Sequence, residues 1–370
     1  MTRAPGGPRR RRWPLGAVVV VTVSVALAGL ALAVVLPRGE PAGPGESPPG
    51  AGVPKRIGYV PYWDQRAGFR VVQQHPDLFD EVSPVWYSLE PTGGIVLADP
   101  EYTVTDRRMV RFLQARGVKV IPTVTNLRNG DWDPAAVQEM LHDPAATRTH
   151  IRELVELAAG HGYDGIDIDY EHLRAVDREP FTAFLTELGA ALRAGGKVLT
   201  AAVHPKTDDA GDDPRNLAQD YRAIGAAVDQ VRVMTYDYSW EDSPPGPVAP
   251  AGWVEEVIAW AVTQIPADRV ILGIVLLGYD WAGGQGSTVD FRQAQAAARA
   301  HSATVRRASD GSPWFVYQGR AGTPHEVWYE DATSAPVKLE LVSRYRLGGA
   351  FFWHLGGADP QLWPAIRDPA

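Results

Sequence analysis

Tyr163-Asp164-Gly165-Ile166-Asp167-Ile168-Asp169-Tyr170-Glu171 sets isoleucines against acids in alternation. Side chains on a β-strand point to opposite faces with a period of two. Asp167, Asp169 and Glu171 therefore share one face, and Ile166, Ile168 and Tyr170 the other. The apolar face can pack against helices while three acids line the opposite side. Neighbouring acids on one face sit about 7 Å apart along the backbone. Three carboxyls crowded in a partly dry site do not all ionise cheaply, so a proton is retained in the row. A proton on the last member is what a general acid needs near neutral pH. Two blander readings fit less well. Exposed edge strands more often carry lysine than three acids on one face. A calcium loop wants a glycine-broken turn with oxygen ligands at loop spacing, and here isoleucines alternate with the acids.

Working outward, strand-like runs alternate with helical patterns. The strands are expected at Arg56–Pro61, Glu81–Ser88, Val118–Thr125, Tyr163–Glu171, Lys197–His204, Asp229–Tyr236, Val270–Gly278 and Gly348–Trp353. Between them, Ile151, Leu154, Val155 and Ala158 recur at helical spacing, as do Phe181, Phe184, Leu185 and Leu188. Strands alternating with helices imply a parallel sheet, and eight of them close a (β/α)8 TIM barrel of the α/β class. The rhythm breaks after the seventh strand, where residues 283–335 read as a small α+β insertion on the barrel rim before strand 8. Barrel enzymes place their sites at the C-terminal ends of the strands. Those ends carry Tyr62 and Trp63, Trp86 and Tyr87, Asn126, Glu171, His204, Tyr236 and Asp237, Trp281, and Trp353. Aromatic faces suit the apolar faces of sugar rings.

The stretch from Asp164 to Glu171 resembles the signature of glycoside hydrolase family 18, Asp-Gly-x-Asp-x-Asp-x-Glu, and matches it at every fixed position. Met234-Thr235-Tyr236-Asp237 looks like the family's sixth-strand motif, and Gly348-Gly349-Ala350-Phe351-Phe352-Trp353 its eighth strand. Arg56–Asp64, Ser83–Leu89 and Gly273–Trp281 look like the branch with spore-cortex-lytic N-acetylglucosaminidases. The resemblance covers residues 55 to 366. It implies substrate-assisted, retaining cleavage of β-1,4 bonds next to N-acetylated amino sugars, in chitin-type oligosaccharides or peptidoglycan glycan, with no metal or cofactor. By the same resemblance Glu171 is the acid and base, and Asp169 faces the substrate acetamido group. Asp167 tunes Asp169 and shares its proton. Tyr236 and Asp237 hold the acetamido group, and Trp353 floors the subsite of the reacting sugar. Tyr62, Trp63, Trp86, Tyr87, Asn126, His204 and Trp281 complete the expected substrate-binding set.

Barrels of this family also exist as lectins that have lost the acid; the presence of Glu171 favours an enzyme. A zinc deacetylase would need ligand spacing that His161, His172 and His204 do not have. No Gly-x-Ser-x-Gly elbow or phosphate-binding glycine loop is present. The net charge of -8 argues against a nucleic-acid surface. With no cysteine, disulfides, cysteine-ligated zinc and thiol catalysis are excluded.

The N-terminus has its own organisation. Residues 1–14 form a basic tail with Arg3, Arg9, Arg10, Arg11 and Arg12. Residues 15–36 are uncharged and would span about 33 Å as a helix, enough to cross a bilayer. Residues 37–54 have the Pro/Gly composition of a linker, and 55–370 form the catalytic barrel. The positive-inside rule makes the apolar run a signal anchor with the barrel outside the cell membrane; a secreted form is the rival. Full-length protein is expected to fractionate with membranes, its barrel open to added protease. A soluble mature form starting at about residue 40 would show cleavage instead.

Overall fold

Eight parallel strands close on themselves in the computed structural model, which describes residues 53–367 apart from 102, 129 and 211–213. The basic tail, the apolar run and most of the linker lie outside the described residues. In chain order the barrel strands are β1 (Lys55–Pro61), β2 (Glu81–Leu89), β3 (Thr123–Thr125), β4 (Gly165–Asp169), β5 (Val198–Val203), β6 (Gln230–Val233), β7 (Val270–Val275) and β8 (Gly349–Trp353). Each pairs with its chain neighbours, and β1 closes the ring by pairing with both β2 and β8. Ile57 stands opposite Glu81 on one side and Phe351 on the other.

Local chemistry explains where the elements start and stop. The helix Pro144–His161 is opened by the Asp143 side chain, which accepts from Ala145 N, and by Pro144 in its first turn; it ends at left-handed Gly162. The Asp-Gly that opens the acid stretch is structural. Asp164 accepts from Val120 N at 2.8 Å and from the Gln114 amide, tying the base of β4 to the segment leading into β3. A side chain at Gly165 would meet the Val198 carbonyl at 2.3 Å, so only glycine lets β4 approach β5 this closely. Beyond it, Ile166 and Ile168 are fully buried, in one core with Phe181, Phe184 and Leu185 of the helix Arg178–Ala194.

The barrel interior is polar. Arg232 on β6 is completely buried. Its guanidinium donates to Tyr59 Oη at 3.0 Å, Ser83 Oγ at 2.6 Å and Glu81 Oε2 at 3.1 Å, and lies 3.4 Å from Asp167 Oδ1. One cation therefore joins β1, β2, β4 and β6 across the barrel axis. Gln230 and Lys55 also bind Glu81.

Two register details differ from the sequence expectation. β2 carries a bulge between Val85 and Tyr87. The inward position that alternation would give Tyr87 falls instead to Ser88, whose hydroxyl bonds the Leu127 carbonyl. Strand 7 ends at Val275, short of the expected Gly278. The next strand, Leu277–Ala282, leaves the barrel for a five-stranded antiparallel sheet with Gln285–Asp290, Arg306–Arg307, Pro313–Gln318 and Pro324–Trp328. The inserted sheet thus begins at Leu277 and not at 283, because Leu277–Ala282 finds antiparallel partners in the inserted strands. The helix Phe291–Ala300 covers one of its faces.

Removing one partner of a buried ion cluster strands the others uncompensated. Arg232→Met is expected to cost about 3–5 kcal/mol in urea unfolding. A change within about 0.5 kcal/mol, typical of surface substitutions, would remove Arg232 from its central place.

Candidate active site

The acids of β4 occupy three different environments. Asp167 is fully buried and takes hydroxyl bonds from Tyr59 at 2.7 Å, Thr123 at 2.9 Å and Thr200, besides facing Arg232. Both its oxygens are thereby engaged on β1, β3, β5 and β6. These four partners hold Asp167 in place beside Asp169. Asp169 is also buried, but its Oδ1 meets no hydrogen-bond partner among the described residues. Burial raises its carboxyl well above the ordinary range, with Glu171 and Asp167 adding to the rise and Arg232 opposing it. Glu171 lies just past the strand end. Burial pushes its carboxyl up to about 7, Arg215 opposing and Asp237 adding to the shift. Asp169 and Glu171 are thus both shifted towards holding a proton, and they titrate as a linked pair.

Backbone contacts fix Glu171. Asn126 is completely buried at the end of β3, and its amide bonds the Glu171 main chain twice: Nδ2 donates to the carbonyl at 3.0 Å and Oδ1 accepts from N–H at 2.9 Å. This side chain extends the β3–β4 ladder by one residue. The expected contact of Asn126 with substrate is therefore replaced by a hold on the acid. On the other face, Tyr170 Oη pairs with His150 Nε2, and His150 Nδ1 pairs with the Gly93 carbonyl. Burial pushes His150 down to about 4, so the ring is neutral at physiological pH and bridges two partners.

The rim brings several of the expected residues together. Tyr236 is buried; burial raises its hydroxyl, followed by the nearby charges of Asp169 and Asp237. It remains a phenol able to donate. Asp237, left-handed at φ 61°, is exposed at the cleft and accepts from Tyr279 Oη at 2.9 Å. The surrounding walls exclude enough solvent to push its carboxyl up to about 6; Tyr279 opposes the shift and Glu241 adds to it. His204 Nε2 stands 3.6 Å from Glu171 Oε2, with its main chain held by Gln219 and Tyr221. Trp353 packs between Tyr59 at 5.7 Å and Trp63 at 6.1 Å, and Tyr62 meets Trp63 at 4.9 Å. Trp63 is half exposed.

Three expected cleft residues lie elsewhere. The β2 bulge turns Trp86 and Tyr87 into the helix-facing layer, where Trp86 donates to Gln65 and Tyr87 pairs with Tyr163. Trp281 is 2% exposed and donates to the Trp240 carbonyl, bracing a loop. Sequence reasoning missed Tyr59, Thr123, Thr200 and Arg232. The signal for Arg232 was an arginine inside the apolar run Val231–Val233. Among the described residues, no group of three or more His, Asp or Glu is placed to hold a metal.

A closed parallel barrel with a dry, proton-holding acid row at its C-terminal mouth, walled by aromatic rings, defines a glycosidase. The chain belongs to Glycosyl hydrolases family 18, whose profile matches residues 55–358. A cortical fragment-lytic enzyme of Bacillus subtilis (strain 168) is 33% identical over 283 residues, 75% of this chain and 64% of that protein. The chain therefore spans somewhat less than two thirds of that relative. The solved chitinase from Chromobacterium violaceum ATCC 12472 superposes with a TM-score of 0.79 at 29% identity, covering 85% of this chain and 98% of that one. The Bacillus cereus spore cortex-lytic enzyme gives 0.75 at 26% identity, covering 85% and 73%.

A carboxyl group that serves as a general acid must carry its proton. A raised pKa keeps the proton on Glu171 below about 7 and loses it above. The groups facing Glu171 are Asp169, His204, Asp237 and Arg215. kcat/KM is expected to fall as pH rises through about 7. Asn126→Ala should lower kcat by up to about 100-fold, the scale of a displacement of 1 Å, with little change in KM. An alkaline limb in the ordinary carboxylate range, or an unaffected kcat, would contradict this reading.

Proposed function

We propose that the chain cleaves β-1,4 bonds next to N-acetylated amino sugars, in peptidoglycan glycan or chitin-type oligosaccharides, with the substrate's own acetamido group as nucleophile. The observation that carries this is the unpartnered, buried Oδ1 of Asp169 beside a glutamic acid that keeps its proton near neutral pH. A buried polar atom without a partner is costly unless a ligand completes it. An acetamido N–H is the matching donor.

In this mechanism Glu171 gives its proton to the glycosidic oxygen. The acetamido oxygen attacks the anomeric carbon as the bond to the leaving group breaks, forming an oxazolinium ion. Asp169 accepts from the acetamido N–H and so holds the acetamido oxygen against the anomeric carbon. Tyr236 donates to the acetamido oxygen, Asp237 binds the reacting sugar, and Trp353 floors it. Glu171, now a base, takes a proton from water, which opens the ring with net retention. The uncharged run at residues 15–36 supports a membrane-anchored placement with the barrel outside the cell.

Glu171→Gln is expected to lose about two to four orders of magnitude in turnover. Asp169→Asn should lower kcat with KM little changed, since the acetamido group it orients reacts only in the transition state. A thiazoline analogue of the oxazolinium should inhibit. Full activity of the Glu171→Gln protein on N-acetylated glycans would refute the assignment. Wild-type protein that binds such glycans without cleaving them would make it a lectin.

A further inference from the structure

The loops after β3, β4 and β5 bring Trp132, His172 and Arg215 together beside the acid. Trp132 lies on the hairpin Leu127–Arg128/Asp131–Trp132, and its ring stacks on His172 at 6.4 Å and 23°. His172 directly follows Glu171 and is left-handed at φ 58°, a conformation that is strained for a residue other than glycine. That turn sends its ring to the rim, where Arg215 Nη1 lies 3.4 Å from Nε2. Around the barrel this cluster sits over β3–β5, whereas Tyr62, Trp63 and Trp353 sit over β8 and β1. The acid on β4 lies on the same arc as the cluster.

We infer that Trp132, His172 and Arg215 bind the sugar on the leaving side of the scissile bond and select one that carries a carboxylate, as the lactyl ether of muramic acid does. This rests on the proposed glycosidase reading and narrows its substrate class. A ring supplies the stacking face and a guanidinium the planar fork that matches a carboxylate. Chitin is neutral and offers this cation nothing.

The position of Arg215 has a cost that such a substrate removes. Its charge acts on both Glu171 and Asp237 and opposes the rise that keeps the acid protonated. A carboxylate seated on the guanidinium weakens that opposition. The charged substrate therefore strengthens the acid's hold on its proton at the moment the proton is needed.

The test uses peptidoglycan glycan strands freed of stem peptides, whose muramic residues carry lactyl carboxylates, and the same strands after amidation of those carboxylates. Wild-type kcat/KM should be about tenfold higher on the charged strands, one well-placed charged contact. The alkaline limb of kcat should lie at higher pH with them than with amidated strands. In Arg215→Gln the ratio should fall to about one and the difference in limbs vanish; Arg215→Lys should keep part of both. Equal wild-type rates on the two strands would overturn the inference, as would an Arg215→Gln protein slowed equally on both. If chito-oligosaccharides are cleaved and neither strand is, the subsite assignment falls while the glycosidase reading stands. If no N-acetylated glycan is cleaved, both fall.

Discussion

The Arg232 guanidinium inside the barrel is the contact on which the site depends. A buried cation is costly unless its donors are met and its charge is matched. Here Glu81 and Asp167 supply charge, and Tyr59 and Ser83 accept further hydrogen bonds. Asp167 is thereby oriented from four strands before any substrate arrives. Burial, with Glu171 and Asp167 close by, raises the Asp169 carboxyl above its ordinary range. The acid row is thus a gradient of environments. The innermost member is saturated with partners, the middle one is buried with an open valence, and the outermost is held by its backbone and faces the cleft. Chemically similar side chains reach different protonation states because solvent and partners differ along one strand.

Much of this was legible in the sequence, for local reasons. The alternation in Ile166–Glu171 and the spacing of Phe181, Phe184, Leu185 and Leu188 need only a period to be read, and they led to eight strands with helices packed outside. What failed needed information from a partner strand. Nothing near Trp86 announces that β2 will bulge there, because the extra residue is defined only against β3. Val270–Gly278 reads as one apolar run, and its break is set by inserted strands that follow it in the chain. Asn126 looked like a cleft residue by position; its role appears only once the Glu171 main chain lies beside it.

The insertion is bound to the chemistry by one hydroxyl. Tyr279 stands in its first strand and donates to Asp237, which follows the sixth barrel strand. Asp237 is left-handed, and so is His172 after Glu171. The chain thus turns sharply just after Glu171 and Tyr236, a local strain the surrounding contacts must offset. Those turns bring the next side chain back to the rim, where a substrate can meet it.

The pair of hydrogen bonds between the Asn126 side chain and the Glu171 backbone bears on how still the acid is held. A group at the free end of one strand moves like the tip of a cantilever, with its amplitude set by a single support. Glu171 is joined to two neighbouring strands, so a displacement must bend both. Proton transfer over hydrogen-bond distance tolerates only a few tenths of an ångström of wander. The asparagine serves as the second bearing, and the acid's precision comes from the stiffness of the barrel wall.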